Sequence, residues 1–265
     1  MKRLLIAIIL ISTGLIVNSQ PDRKKLMPVT TDSKTALNIY KEAKKYYDDV
    51  FLDKALETFK KALIQDPGFF MANYQLAFYY LLNREADDFY KYAEAAISSK
   101  DKLSNAEEIL KQALTRLING NSEVSDLGKK LVELYPDDPE SYNNLASFQS
   151  LEGDNEGMIE TLLKAVEIAP DPAPFYNQLG YAYLAVEQSD KAEKAFDRYI
   201  ELAPKNPNVY DSKGDYYMYL KKYDKAYELY MKAYSLDPSF SREKADAAQK
   251  LFERTEGRKI EIIPM

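Results

Sequence analysis

An all-α chain of stacked helical hairpins is predicted by three observations. Pro136, Pro170, Pro204 and Pro238 stand 34 residues apart, and Pro67 lies 69 residues before Pro136, two periods plus one. Between these prolines, small and apolar residues recur three and four positions apart, which gathers them on one face of a helix. The composition agrees: 46% of the residues are hydrophobic and only 9 of 265 are glycine, the profile of an ordered helical chain. A fixed period of this length marks an architecture in which each unit stacks on the next.

Read from the N-terminus, Met1-Lys2-Arg3 is a basic head, Leu4 to Val17 is an almost unbroken apolar run, and Val17-Asn18-Ser19 offers compact residues. That is a signal-peptide pattern, with cleavage expected after Ser19 and a bacterial periplasmic or secreted product. A retained anchor is the alternative, but spanning a bilayer takes about 17 to 25 apolar residues and this run is shorter. No cysteine follows it, which excludes a lipoprotein anchor. Removing residues 1–19 takes away Lys2 and Arg3 and no acid, so the formal charge moves from −6 to −8 and favours solubility. Residues 20–33, polar and holding Pro21 and Pro28, read as a linker. The repeat array is expected over 34–254 and a tail over 255–265.

One unit shows the repeated pattern whole: Tyr176, Leu179, Gly180 and Tyr183, then Ala192 and Phe196, then Pro204. The next gives Tyr210, Gly214, Tyr217, Ala226, Tyr230, Ala233 and Pro238, and the first gives Ala43, Tyr46, Ala55, Phe59, Ala62 and Pro67. A looser copy holds Tyr142, Leu145, Ala146, Met158, Leu162, Ala165 and Pro170. Leu179, Gly180 and Tyr183 share one stripe of a helix expected from about Ala173 to Val186, and Ala192, Phe196 and Tyr199 share a stripe of a second. Small residues at Gly180 and Ala192 let the two approach closely, with Tyr183 and Phe196 filling the space beside them. Tyr46, Tyr80, Tyr183 and Tyr217 occupy a core position and are read as packing residues. Asp53, Asp190 and Asp224 open the second helices and are read as N-caps. Prolines close those helices, and Pro139 and Pro207 also open the next ones.

No hairpin of this size covers its own apolar face, so neighbours must stack into a superhelix. Six units are counted from Ala36. In the second, Leu76, Ala77 and Tyr80 fit, but Phe89 and Ala93 break the pattern and Lys102 replaces proline; from Asn105 to Leu131 only the helical periodicity of Ile109, Ala113 and Leu117 survives, so altered packing is expected there. Residues Ser241 to Arg254 form a capping helix with Ala245, Ala248, Leu251 and Phe252 inward and charges outward. The tail from Lys259 alternates like a strand; lying on the last helix is favoured over joining a partner's sheet.

Aromatic, Leu, Gly, Tyr, Ala, Phe and Pro positions in this order over 34 residues resemble the tetratricopeptide repeat, with Tyr in place of its usual Trp, from about residue 36 to 240. The resemblance implies a right-handed superhelical α-solenoid of about six such helix pairs plus the capping helix. It also implies a concave groove lined by the first helix of each pair and receiving a protein or peptide partner. Transferred by register, the groove residues are Tyr40, Lys44, Tyr74, Gln75, Phe78, Asn143, Ser147, Asn177, Gln178, Tyr181, Asp211 and Asp215. Co-chaperones of this kind clamp a terminal carboxylate with cations. Here the corresponding places hold Asn143, Ser147, Gln178, Asn208 and Ser212, none of them charged.

The residues absent from the chain narrow its chemistry. There is no His, Cys or Trp, which removes the usual acid/base near neutral pH, the thiolate nucleophile and the common zinc ligands. Acidic runs such as Asp137-Asp138-Pro139-Glu140 and Asp154-Asn155-Glu156 lack the spacing of a calcium loop and read as turns and caps. Neither a phosphate-binding loop nor a nucleophile elbow occurs. No enzyme, cofactor or metal is expected. The basic residues are scattered pairs on an acidic chain, so nucleic acid is an unexpected partner. An adaptor for a protein partner is the leading expectation; a glycan or small-ligand binder stacking on Tyr40, Tyr74, Phe78 and Tyr181 is the alternative, and a carboxylate hydrolase a third.

Overall fold

The computed structural model describes residues 24–99 and 102–260, so the signal segment, its cleavage point and the final residues 261–265 lie outside the described residues. The described residues form thirteen helices, six antiparallel pairs and a cap. The pairs are α1 (Lys34–Asp48) with α2 (Leu52–Gln65), α3 (Phe70–Leu82) with α4 (Ala86–Ile97), and α5 (Asn105–Ile118) with α6 (Ser125–Leu134). They continue with α7 (Pro139–Glu152) and α8 (Asn155–Ile168), α9 (Ala173–Ala185) and α10 (Ser189–Leu202), then α11 (Pro207–Tyr219) and α12 (Tyr223–Leu236). Helix α13 (Arg242–Glu256) covers the end, and each helix packs chiefly on its neighbours in the chain, as in a solenoid.

The turn inside every hairpin has one construction. Residues Val50, Arg84, Gly120, Gly153, Glu187 and Lys221 all take a left-handed backbone with φ between 58° and 76°. The following amide reaches back five residues to the first helix: Phe51 N–H to Tyr46 C=O at 2.9 Å, and likewise Glu85 to Tyr80, Asn121 to Arg116, Asp154 to Gln149, Gln188 to Tyr183 and Lys222 to Tyr217. This Schellman closure satisfies otherwise orphaned carbonyls, and it persists in units two and three, where the side-chain pattern fades. Only two of the six positions are glycine. Since a left-handed L-residue crowds its own Cβ, Glu187→Gly is expected to raise stability by about 0.5 to 1 kcal/mol. A lower urea midpoint for that variant would contradict this.

The turn also corrects the expected capping. The residues before α2, α10 and α12 are Phe51, Gln188 and Lys222, none with a side-chain cap, and Asp53, Asp190 and Asp224 sit inside the first turn. Because the Schellman amide belongs to the residue that also starts the second helix, the aspartates fall too late to cap and act only on the helix dipole. Side-chain caps occur instead at Ser33, Ser104, Asp138, Asp154 and Asn206. The prolines behave as read: Pro67, Pro136, Pro170, Pro204 and Pro238 each lie two residues past a second helix, and Pro139 and Pro207 open α7 and α11.

In the regular units the packing is small against large. A Cβ on Gly180 would stand 2.4 Å from the Phe196 ring, and one on Gly214 2.5 Å from the Tyr230 ring, so Phe196 itself occupies the space the glycine leaves. Tyr183 and Tyr217 are only half-buried beside it. Unit one uses Ala43 and Phe59 at the same spacing, both fully buried. Unit two has Ala77 and Ala93 there, and Tyr80 stacked on Tyr92 at 5.6 Å and 7° supplies the missing bulk. Ile260 packs on the α12 and α13 cluster, placing the start of the tail on the last helix.

Two features make the solenoid more closed than a groove-lined rod. Residues 24–33, read as a linker, instead run along the loops between units: Thr31 Oγ1 donates to Asp66 at 2.5 Å, Thr30 N–H and Oγ1 to Glu107 at 2.8 and 2.5 Å, Met27 N–H to Asp138 at 2.6 Å and Lys25 N–H to Asp137 at 3.0 Å. Fully buried Glu107 also accepts from Ser104 N–H in a capping box. Glu107→Ala is therefore expected to cost about 2 kcal/mol and to raise proteolysis near Thr30, because it leaves three half-buried donors without their acceptor. Unchanged cleavage would contradict the strap.

The second feature is that the first hairpin meets the far end of the chain. Asn206 Nδ2 donates to Asp49 C=O at 3.0 Å across 157 residues, and the Phe51 and Phe240 rings meet edge to face at 5.6 Å. The coil thus returns on itself within six units.

Candidate functional site

The first helices α1, α3, α7, α9 and α11 face the inside of the coil, and their inner residues fall into three zones. In the first, curvature brings α7 onto α1 and α3. Tyr74 Oη donates to Asn144 Oδ1 at 2.7 Å, and Phe78 meets Phe148 at 5.8 Å. Tyr40, Tyr74, Gln75 and Phe78, placed by register in an open groove, are buried, with at most 8% of their surface exposed. Their aromatic and apolar surfaces drive this closure, so here the groove is filled by its own lining.

The second zone is a cavity of about 580 Å³ between the α1–α2 turn, the end of α3, α7 and α9. Asn143, Ser147, Asn177 and Gln178 line it, as do Asp48, Glu140 and Phe175, which the register did not single out. Lys44, not itself a lining residue, lies 2.5 Å from Asp48 and 2.7 Å from Glu140. Burial opposes the Lys44 charge, but the two carboxylates outweigh it and hold the ammonium above the usual lysine range. Gln178 Nε2 donates to Asn143 Oδ1 at 3.0 Å, a bridge between consecutive units. Asn177 Oδ1 is buried, and no donor of the protein reaches it.

Burial pushes the Asp48 carboxyl up to about 6, with Lys44 pulling the other way. A carboxyl raised in the fold lends stability that is whole below its ordinary pKa near 4 and is lost as pH climbs through about 6. Asp48→Asn, which does not ionise, should therefore gain on the parent between about pH 4 and 6 in urea midpoints taken at each pH. A constant difference across that window would contradict the assignment.

The third zone closes the far end. Lys244 of α13 contacts Asp211 at 2.7 Å and both Asp215 oxygens at 2.9 Å, and Ser241 Oγ donates to Asp211 at 2.5 Å. Tyr181 and Tyr230 donate to Asp215 at 2.8 and 2.7 Å, and burial together with that carboxylate pushes both phenols up. Thus Tyr181, Asp211 and Asp215 are tied into a network, although Tyr181 keeps 39% of its surface exposed. The capping helix turns one charge inward, against the all-outward expectation; two carboxylates on α11 require a cation, and nothing in the spacing of α13 announced that Lys244 would be it.

Residues 139–172 and 207–240 match one tetratricopeptide-repeat family model and residues 161–194 a second. These stretches fall within α7 to α12, the units with the clearest sequence pattern. Among curated proteins nothing matches the sequence. A crystal structure of a thermophilic tetratricopeptide-repeat protein from Thermus thermophilus is 21% identical, covers 80% of this chain and 98% of its own, and superposes with a TM-score of 0.49. The fold is an all-α solenoid of six tetratricopeptide-like hairpins and a cap. Among the described residues, no helix is long and apolar enough to cross a membrane.

Proposed function

We propose that the chain is an exported adaptor that receives a segment of a protein partner in the cavity between α1, α7 and α9. The observation that carries this reading is the cavity itself: about 580 Å³, walled by the amide side chains of two consecutive units. Partner segments are recognised by a few convergent polar groups set among apolar walls, which is what Asn143, Asn177, Gln178, Phe175 and Met158 supply. Similarity to the tetratricopeptide repeat supports a binding role over a catalytic one. Export rests on the Met1-to-Ser19 pattern. The stacking alternative for glycans loses support, because Tyr40, Tyr74 and Phe78 present no free face to a sugar ring.

A photo-crosslinking residue at Ser147, inside the cavity, is expected to give a defined partner adduct in the producing cell that weakens when Asn143→Leu and Gln178→Leu are added. The same probe at exposed Lys164 on α8 should give none. Equal adducts at the two positions would overturn the site. Export predicts a mature N-terminus at Gln20, read by mass spectrometry of the recovered protein.

A further inference from the structure

The hairpin turn between α1 and α2 departs from the other five. Where they carry Arg84, Gly120, Gly153, Glu187 and Lys221 it has Val50 at φ 62°, and where they carry Glu85, Asn121, Asp154, Gln188 and Lys222 it has Phe51. A β-branched residue is poorly suited to left-handed backbone, and an aromatic ring in an outer turn is poorly suited to water. Both departures face something. Asp48, Val50 and Leu52 line the cavity, while the residues between them reach the far end of the coil: Asp49 C=O accepts from Asn206 Nδ2 at 3.0 Å, and the Phe51 ring meets Phe240 at 5.6 Å. Asn206 and Phe240 hold the same repeat position, two residues past Pro204 and Pro238. Lys54 also leaves its repeat role: its counterparts Lys191 and Lys225 lie over the Tyr183 and Tyr217 rings, whereas Lys54 lies over Phe51 at 4.8 Å.

One short segment therefore serves two surfaces at once, a cavity wall on one side and a clasp on the other. The clasp is small, a neutral hydrogen bond and a ring pair, whereas neighbouring helices pack along their length. A solenoid flexes through its nearest-neighbour interfaces, so when the coil opens the clasp is the contact that parts first, and the wall goes with it. Anything that touches the wall in the closed coil alone favours the closed coil, and by linkage the closed coil favours whatever touches the wall. Resting on the reading of this cavity as the partner site, we propose that the turn from Asp48 to Leu52 is a latch: the ends of the coil part to admit the partner segment, and the turn closes against it, so that clasp and occupant stabilise each other. Phe51, Asn206 and Phe240 are then positioning residues, acting on the partner through Val50 and Leu52 without touching it.

Neither Asn206 nor Phe240 lines the cavity, so changing them tests the latch and not the lining. In the double variant Asn206→Asp, Phe240→Ala, aspartate keeps the oxygen that caps α11 at Asn208 N–H but loses the donor to Asp49. The partner adduct at Ser147 is expected to fall about fivefold or more in this variant, the scale of one hydrogen bond. Leu114→Ala, in the fully buried core of α5, also weakens the fold but touches neither clasp nor cavity, and should leave the adduct yield unchanged. Circular dichroism confirms that each variant is folded. Spin labels on Cys substitutions at Asp53 and Lys205 should give a narrower distance distribution in the crosslinked complex than in the free protein. An undiminished adduct in the double variant, an equal loss in Leu114→Ala, or a distribution that the partner leaves unchanged would overturn the latch and leave the cavity reading standing. No adduct at Ser147 in the parent protein would overturn the cavity reading, and the latch with it.

Discussion

Phe196→Ala is expected to destabilise the protein by about 3 to 5 kcal/mol, the range for emptying a fully buried aromatic position. Phe196 is 0% exposed, lies over Gly180, and touches Tyr181 at 5.2 Å and Tyr216 at 6.1 Å. Its removal opens a void between α9 and α10 and also frees the ring under Tyr181. Gly180→Leu alone should also destabilise, by about 1 to 3 kcal/mol, because the added side chain enters space the ring holds. Combined, the two changes exchange one bulk for another, so the double variant should be more stable than the sum of the single effects by at least about 1 kcal/mol. Urea unfolding of the four proteins measures this. Strict additivity would mean that ring and glycine do not share that space.

Lys44→Met should cost about 2 to 4 kcal/mol, somewhat below the range for a wholly buried pair, because Asp48 and Glu140 keep 41% and 35% of their side-chain surface exposed. The ammonium holds two carboxylates together at the cavity wall, and methionine keeps the stem but leaves them to repel. Adding Asp48→Asn and Glu140→Gln to Lys44→Met should recover most of the loss, since three neutral groups no longer require compensation. If the triple variant were no more stable than Lys44→Met, the loss would come from packing and not from charge.

How much of this was legible beforehand follows from where each signal lives. The 34-residue proline spacing and the pairing of Gly180 with Phe196 are local, so hairpins, their order and the capping helix followed from residues 16 to 34 apart. The left-handed turns were invisible, because four of the six residues that adopt them are Val50, Arg84, Glu187 and Lys221, whose types carry no such preference. Transfer by register named Asn143, Ser147, Asn177 and Gln178, which the structure brings together in one cavity. Register assumes an open groove, however, and could not foresee that α7 closes over Tyr40, Tyr74 and Phe78, a contact between residues 70 apart. Lys244 and the strap from Lys25 to Thr31 entered for the same reason: each is paired across elements that share no repeat position.

The return of the first hairpin to the far loops is what converts an open groove into a cavity, and the absence of native cysteine makes it directly measurable. Spin labels on Cys substitutions at exposed Asp53 and Lys205 flank the Asp49 to Asn206 contact. Pulsed dipolar spectroscopy of that pair should give one narrow, short distance distribution that Asn206→Ala and Phe51→Ala together broaden. A long, broad distribution in the parent protein would show an open coil and contradict the cavity.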